Sequence, residues 1–321
     1  MADIRAITTD EVEPFYTMFM RSMGFGPPTE AWLERESKTF KPDRSLAAFD
    51  GDDVVATAYS HPFELTLPGR GLVPVAGVTA VAASSTHRRH GLGTQVLTRQ
   101  LVEARDRGEV AAILLASEGR IYRRFGYGAA TYVTDLKIDT RDVRGLPAAS
   151  AGRVRIVDGE TADKVFPETQ DRARRLRPGS IKRPPHFWES ITADRDKRHV
   201  NAVYEDATGT AQGYIRYGIA AEWDDGIPSH KLTIHDMNAC TDDARHAIWS
   251  YLLNLDLVRT IEAWGRPVDE PVRWLLGEPR AFRSQTYRDM IWVRPLDVGR
   301  LLDQRYYATD IEITLEIDDR L

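Results

Sequence analysis

The sequence predicts an α/β protein with mixed sheets, built from two similar halves. Its 321 residues exceed the size of one ordinary domain and are enough for more than one hydrophobic core. Hydrophobic residues make up 42% and charged residues 28% of the chain, which is typical of globular proteins and excludes disordered and fibrous classes. An order of hairpin, strand, helix and strand occurs twice along the chain. Repetition of this order favours two tandem domains of one fold.

The first copy begins with a hairpin at residues 45–49 and 54–59, because two apolar runs flank an Asp-Gly turn. A longer apolar strand follows at residues 72–83. Leu97, Leu101 and Ala104 then recur at helical spacing, and the helix ends near Gly108. The continuous apolar run at 110–116 predicts a strand covered on both faces. Two helix-prone segments, residues 9–23 and 29–38, precede the hairpin.

The second copy shows the same order with different residues. Residues 200–204 and 213–217 predict the hairpin, and residues 231–240, 242–255 and 256–263 predict the strand, helix and strand. The helix opens on two aspartates, at 242 and 243, where the first copy has arginines and glycines. If the first copy binds an anion at this point, we expect that the second does not.

Two further boundaries follow from local composition. Residues 140–152 predict a linker between the copies, because Gly145, Pro147 and Gly152 interrupt a polar stretch. A third segment starts near Val293, with a short helix at 298–305 and strict apolar alternation at 311–317. The alternation predicts a half-buried strand that either packs on the preceding domains or begins a further domain.

Charge and cysteine content exclude several classes of partner. The 43 basic and 48 acidic residues give a net charge of -5, so we expect neither nucleic acid nor a membrane as a partner. The basic run at 172–177 is interpreted as complementing a helix C-terminus. The single cysteine, Cys240, allows no internal disulfide and no multi-cysteine zinc site, and we expect no metal. The N-terminus has no apolar signal region, which favours a cytoplasmic protein.

Arg88-Arg89-His90-Gly91-Leu92-Gly93 stands between the apolar strand and the helix of the first copy. Backbone amides and the positive end of the helix dipole converge at such a junction, and glycines let a diphosphate approach the backbone. The two arginines would add charge-assisted contacts to phosphate oxygens. This loop therefore predicts a phosphate site, although a plain solvated turn is the alternative reading.

Residues 117–128 follow the last strand of the first copy and carry two tyrosines. A phenol with a pKa near 10 is protonated at neutral pH and can donate a proton to a thiolate leaving group of lower pKa. Tyr122 is therefore the candidate general acid. Tyr127 is interpreted as structural, and a loop whose aromatic side chains fill the core is the alternative for both.

Arg-x-x-Gly-x-Gly after a strand, followed by Tyr-x-x-x-Gly-aromatic, resembles the GNAT superfamily of acetyl-CoA-dependent N-acetyltransferases. The amino-acid sequence is similar to that of the enhanced intracellular survival (Eis) group of that superfamily at residues 77–81, 86–89, 116–119 and 121–128. This resemblance implies a catalytic GNAT domain at 1–145, a degenerate GNAT-like domain at 146–292 and the start of a sterol-carrier-protein-like domain at 293–321. It also implies a homohexamer.

The resemblance assigns roles to individual residues in the first copy. Backbone groups at the end of the strand at 72–83 would hold the pantetheine arm of acetyl-CoA. The loop that follows and the start of the next helix would hold the diphosphate. Two further residues would line the cofactor, and Tyr122 would be the acid. The cofactor-binding residues are, in that order, Val81, Ala82 and Ala83, then Arg89, His90, Gly91, Leu92, Gly93 and Thr94, then Ser117 and Glu118.

The predicted function is transfer of an acetyl group from acetyl-CoA to a primary amine of an aminoglycoside, a lysine side chain or a polyamine. The amine attacks directly, and Tyr122 protonates the CoA thiolate. In the family the general base is the terminal carboxylate of the chain, a role that the resemblance does not extend to Leu321; His61 and Glu64 are the local candidates. The alternative function is a non-catalytic CoA-binding or scaffold protein.

Overall fold

A computed structural model describes residues 2–141, 143, 152–193, 199–310, 312–319 and 321. The chain folds into two compact units. Unit 1 comprises Met1–Ala130 and Ile291–Leu321, and unit 2 comprises Thr131–Met290. Among the described residues, no helix is long and apolar enough to cross a membrane.

The helices and strands follow one another in the order expected of two α/β units. Before residue 142 they are β1 (Asp3–Arg5), α1 (Val12–Ser22), α2 (Glu30–Ser37), β2 (Ser45–Asp50), β3 (Asp53–Thr66), β4 (Leu72–Ala83), α3 (Leu92–Asp106), β5 (Ala111–Leu115), α4 (Gly119–Tyr122), β6 (Gly128–Ala129) and β7 (Tyr132–Asp139). After residue 152 they are β8 (Arg153–Val157), α5 (Gly159–Arg174), α6 (Pro185–Ala193), β9 (His199–Glu205), β10 (Ala211–Ala220), β11 (Trp223–Asp224), β12 (Ile227–Pro228), β13 (His230–Ala239), α7 (Asp242–Leu253), β14 (Val258–Pro267), α8 (Val272–Leu275), β15 (Phe282–Ser284), β16 (Arg288–Asp289), β17 (Ile291–Pro295) and α9 (Val298–Asp303). Short 3-10 turns occupy Thr9–Glu11, Pro42–Arg44, Ser85–His87, Arg123–Phe125 and Pro279–Ala281.

Unit 1 contains a mixed sheet with strand order β1-β2-β3-β4-β5-β17-β6. The strands β1 to β4 pair antiparallel, β4 and β5 pair parallel, and β17 lies antiparallel between β5 and β6. The β2–β3 hairpin turns at Gly51, whose φ of 60° is readily adopted by glycine. A helical crossover is needed between the parallel strands, and α3 supplies it.

Hydrophobic side chains cover both faces of this sheet. Val96 of α3 packs with Ala58 of β3, whereas Phe15 of α1 packs with Tyr59, the next residue of β3. Successive residues of a strand point to opposite faces, so α1 and α3 cover opposite faces of the sheet.

Unit 2 contains a second mixed sheet, with strand order β15-β7-β14-β13-β10-β9-β8 and β16 beside β7. The hairpin β9–β10, strand β13, helix α7 and strand β14 reproduce the order of β2–β3, β4, α3 and β5, and β13 and β14 pair parallel. The predicted α/β class with mixed sheets and two repeated domains is confirmed. The core of unit 2 centres on Trp249 of α7, which is fully buried.

The compact units differ from the boundaries predicted at 145/146 and 292/293. The first of these lies outside the described residues, as does most of the predicted linker. In the structure the units change at 130/131 and 290/291, because β7 pairs with β14 in unit 2 and β17 pairs with β5 in unit 1. Each sheet is thus completed by a strand remote from most of its neighbours in sequence.

The strand predicted at residues 311–317 is wrong for the part that the structure describes. Residues 312–319 have no regular structure and pair with no strand of the described chain. Ile313, Leu315 and Ile317 are 64%, 59% and 50% exposed. A strand without hydrogen-bonding neighbours is not stable in water, so alternation alone was insufficient. The sterol-carrier-like domain remains a prediction.

Candidate active site

The site begins where β4 and β5 separate. Their parallel pairing covers Val75–Gly77 against Ala111–Ile113, and within the described residues it ends there. Strand β4 nevertheless continues to Ala83, paired with β3 on its other side. Val81, Ala82 and Ala83 therefore lie on a segment of β4 whose β5-facing edge pairs with no strand of the described residues.

A β-bulge in β4 accompanies this separation. The register with β3 shifts between Thr57 and Tyr59, and Ala80 takes a φ of 50°, which is rare for a residue other than glycine. The Thr57 hydroxyl donates a hydrogen bond to the Ala80 carbonyl, at 2.7 Å. A bulge bends the strand that carries it, so this irregularity contributes to turning the end of β4 away from β5.

Helix α3 starts beside the open end of β4. Gly91 is the N-cap residue, with a φ of 78° and no side chain to bond the first amides of the helix. A Cβ atom built on Gly93 would lie 4.0 Å from the Ala83 side chain, which places the first turn against the end of the strand. Arg89, with a φ of 67°, helps to form the tight approach to the helix. The amides of this first turn have no partners within the helix.

The loop before α3 presents positive charge. Arg88 and Arg89 are exposed, and in the described part of the chain neither forms an ion pair. His87 fixes the base of the loop, since its Nε2 is 3.1 Å from an Asp50 carboxylate oxygen and its Nδ1 is 2.8 Å from the Thr86 hydroxyl. Two free guanidinium groups and a helix N-terminus at one place favour an anionic ligand.

The predicted cofactor-binding residues differ in what they can offer. Arg89, His90, Gly91 and Thr94 are exposed in the loop and first turn, and Gly93 is half-buried. The Leu92 side chain is buried in the core, so its backbone amide is the part available to a ligand. Ser117 and Glu118 are exposed and follow β5, and Val81, Ala82 and Ala83 are half-buried on β4. The structure brings the strand and helix members together around the start of α3.

Tyr122 ends helix α4 and is 7% exposed. Its ring belongs to a cluster with Val78 of β4 and Leu97 of α3, and Val81 packs against the same cluster. Burial raises the pKa of the Tyr122 phenol above 10, a hydrogen bond from Ser117 opposes this, and the Glu118 charge adds to it. The phenol is therefore protonated throughout the physiological range.

Tyr127 lies edge-on to Tyr122, with ring centroids 5.9 Å apart. It is 3% exposed, and burial raises the pKa of its phenol. Within the described residues its hydroxyl has no hydrogen-bond partner. Its ring packs in the same cluster as the Tyr122 ring.

The two local candidates for a general base, His61 and Glu64, both lie on β3. His61 pairs with Gly77, where the β4–β5 pairing ends, and its ring lies 4.8 Å from the Tyr59 ring. Glu64 is three residues further along β3. The Leu321 main-chain oxygen accepts a hydrogen bond from Arg105, in the last turn of α3. The Leu321 side chain packs against the cluster that contains the Tyr122 ring.

Comparison with known proteins identifies the family. Residues 3–130 match an acetyltransferase (GNAT) domain family, and residues 179–295 match a second one. An uncharacterized N-acetyltransferase of Streptomyces avermitilis is 35% identical over 99% of this chain and 79% of its own length. The N-acetyltransferase Eis of Mycobacterium tuberculosis is 31% identical over 84% of this chain and 67% of its own length. This chain is an Eis-like GNAT N-acetyltransferase.

The solved structures agree with this assignment. The crystal structure of Eis1 from Mycobacterium abscessus superposes with a TM-score of 0.83 and 33% identity, over 95% of this chain and 77% of that one. A GNAT protein from Anabaena variabilis superposes with a TM-score of 0.81 at 18% identity, which supports the fold alone.

The second unit of this N-acetyltransferase differs from the first at the corresponding place. Helix α7 is capped by Thr241 and carries Asp242 and Asp243 in its first turn. Strands β13 and β14 also separate, after Ile234 and Ala263. The Arg266 guanidinium, paired with Glu270, donates a hydrogen bond to the Met237 carbonyl across the opening, at 2.9 Å. A cleft of about 1110 Å³ lies in front of these residues.

Sequence reasoning missed two features of the site. The Ala80 bulge lies within a mostly apolar strand, whose sequence carries no local signal for a positive φ at this residue. The His87–Asp50 contact joins the loop to a hairpin turn 37 residues earlier. The spacing of residues along the chain predicts neither the bulge nor this contact. The sequence did predict the Asp-Gly turn and the loop separately.

Proposed function

We propose that unit 1 transfers an acetyl group from acetyl-CoA to a primary amine, of the aminoglycoside, lysine or polyamine type. The observation that carries this proposal is the conjunction at one end of the sheet: the open edge of β4, the helix start with Arg88 and Arg89, and the Tyr122 cluster. An open strand edge suits an extended chain that contains amide groups. The helix start suits a diphosphate.

The residues of unit 1 fit the parts of acetyl-CoA. Backbone groups of Val81, Ala82 and Ala83 would pair with the amides of the pantetheine arm. Amides from Arg89 to Thr94, together with the Arg89 side chain, would bind the diphosphate. Ser117 and Glu118 would line the arm from the end of β5.

The chemistry needs few further groups. Acetyl-CoA supplies an activated thioester carbonyl. A backbone N–H of β4 would polarise the carbonyl oxygen, as preorganised donors do in acyl transfer. The substrate ammonium would lose one proton to His61 or Glu64, and the neutral amine would then attack the thioester carbonyl. As the C–S bond breaks, the nitrogen would lose a second proton to solvent. The Tyr122 phenol would donate its proton to the departing thiolate, and its raised pKa keeps that proton available at neutral pH.

We further propose that unit 2 does not bind acetyl-CoA. Asp242 and Asp243 would repel a diphosphate at the start of α7. The Arg266 side chain already bonds the strand edge that the pantetheine arm would need. The second unit then serves as a degenerate copy of the first.

The test is release of free thiol from acetyl-CoA in the presence of an amine panel: an aminoglycoside, a lysine-containing peptide and a polyamine. We expect turnover with at least one amine and none without an amine. A protein that binds acetyl-CoA, shown by calorimetry, and releases no thiol with any amine would contradict the proposal. That result would favour the non-catalytic CoA-binding alternative.

A further inference from the structure

We infer that strand β17 positions the candidate acid, with Trp292 and Arg294 holding the segment that carries Tyr122. This inference rests on the proposed function, since it concerns the residue to which an acid role is given. Neither residue is proposed to touch the reacting atoms.

The segment is a short helical run with one face toward the strand. Helix α4 and the 3-10 turn Arg123–Phe125 form it. Gly119 and Arg123 are four residues apart, which places them on one face of this run, and Gly126, with a φ of 81°, ends it. Tyr122, three residues after Gly119, lies on the same side. A displacement of this face therefore displaces the Tyr122 ring.

Trp292 contacts this face on both sides of Tyr122. A Cβ atom built on Gly119 would lie 2.8 Å from two atoms of the Trp292 indole, so a glycine is needed at this point. The Arg123 guanidinium lies 6.0 Å from the centre of the same ring. The indole is rigid and 6% exposed, so it has little room to move aside.

Arg294 supports the other end of the segment. A Cβ atom on Gly126 would lie 2.9 Å from its Nε and 3.0 Å from its Cδ. The Arg294 guanidinium forms two hydrogen bonds with the Asp319 carboxylate, at 2.5 and 2.9 Å. Trp292 and Arg294 are two residues apart, so both side chains leave β17 on the same face.

Strand β17 is itself firmly held. Trp292 pairs with Leu114 of β5 and with Ala129 of β6, which places β17 between two strands of the unit 1 sheet. Because the strand is paired on both edges, its side chains form a fixed support. The position of Tyr122 is thus set by residues that the chain reaches after residues 131–290.

The first test adds one methyl group to the contact. Gly119→Ala should push the segment away from Trp292 and lower kcat about tenfold or more, because a misplaced catalytic group loses rate steeply. The KM for acetyl-CoA should stay within about twofold, as expected when orientation is lost rather than binding. Gly128→Ala is the matched control, since no atom lies within 4 Å of a Cβ there. Equal kcat values for Gly119→Ala and Gly128→Ala, together with an unchanged pKa of the Tyr122 phenol, would overturn the inference.

A double variant tests whether the indole is the partner. Trp292→Leu removes the atoms that the added methyl group meets, so the kcat losses of Gly119→Ala and Trp292→Leu should not multiply in the double variant. Losses that multiply would show that the two residues act separately and would overturn the inference. Trp292→Phe provides a milder variant if the leucine protein does not fold.

An NMR measurement separates this inference from the proposed function. Tyrosine labelled with ¹³C at Cζ reports the phenol pKa, and Tyr122→Phe assigns the signal. Burial is the main cause of the raised pKa of Tyr122, so Gly119→Ala should lower that pKa toward 10 and Gly128→Ala should leave it unchanged. A lowered pKa with unchanged kcat would support the positioning and contradict the acid role. An unchanged pKa in Gly119→Ala would overturn the positioning.

Discussion

At the scale of single residues, the site combines one buried phenol with exposed cations. Tyr122 is protected from water by Val78 and Leu97, whereas Arg88 and Arg89 face solvent without ion-pair partners in the described chain. The buried phenol suits proton donation, and the exposed guanidinium groups suit capture of an anion. These two environments lead to different kinetic predictions.

Tyr122 should set the alkaline limit of activity. Its phenol must be protonated to act, and burial raises its pKa from the usual value near 10, so the alkaline decline of kcat should be centred at a higher pH than that of an exposed tyrosine. The measurement is the pH profile of kcat up to the limit of protein stability. A decline centred below pH 10 that is unchanged in Tyr122→Phe would assign the titration to another group.

Arg89 should control affinity rather than chemistry. A hydrogen bond to a charged group contributes about 1.5 to 3 kcal/mol, so Arg89→Ala should raise the KM for acetyl-CoA about tenfold or more and leave kcat nearly unchanged. Arg21→Ala, at an exposed position of α1, is the control. Steady-state kinetics with varied acetyl-CoA check this, and equal KM values for both variants would contradict it.

At the scale of elements, the strands and helices around the site follow from the sequence. The strand predicted at residues 72–83 is β4, and the apolar spacing of Leu97 and Leu101 predicted α3. The Asp-Gly turn predicted the β2–β3 hairpin. Local patterns sufficed because each element buries its own apolar face against the same sheet. The alternation at 311–317 failed, since no pairing strand is present among the described residues.

The start of α3 offers a prediction at this scale. Gly91 has a φ of 78°, so Gly91→Ala should cost about 1 kcal/mol of stability and also raise the KM for acetyl-CoA. Gly209→Ala is matched, because Gly209 has a φ of 82° with open space around it in the β9–β10 turn of unit 2. Thermal unfolding should show similar losses for both variants. A KM increase in both, or in neither, would contradict the assignment of the phosphate site.

At the scale of the whole molecule, β7 and β17 pair with strands that are remote from them in sequence. Strand β7 follows the unit 1 segment in sequence but pairs with β14, and β17 follows unit 2 but pairs with β5. The repeated order of elements is visible in the sequence, but the strands with which β7 and β17 pair are not. The strand with which a given strand pairs depends on packing between distant segments. The sequence patterns of β7 and β17 therefore do not predict their neighbours in the sheet.

Because β17 belongs to unit 1, we predict that residues 1–130 are not sufficient for a folded unit. Without β17, the edges of β5 and β6 would be unpaired and the Tyr122 segment would lose Trp292. The isolated fragment should show no cooperative thermal transition by circular dichroism and should not bind acetyl-CoA. A cooperative transition together with binding comparable to the full chain would contradict this account.

The proposed function is acetyl transfer by unit 1, with Tyr122 as the acid. The most direct test is steady-state thiol release by Tyr122→Phe, with Tyr287→Phe as a control because Tyr287 is 70% exposed. General acid catalysis contributes about 10² to 10⁴ in rate, so kcat of Tyr122→Phe should fall about 100-fold or more while the KM for acetyl-CoA stays within about twofold. A Tyr122→Phe protein with the kcat of Tyr287→Phe, or one that loses affinity alone, would contradict the claim.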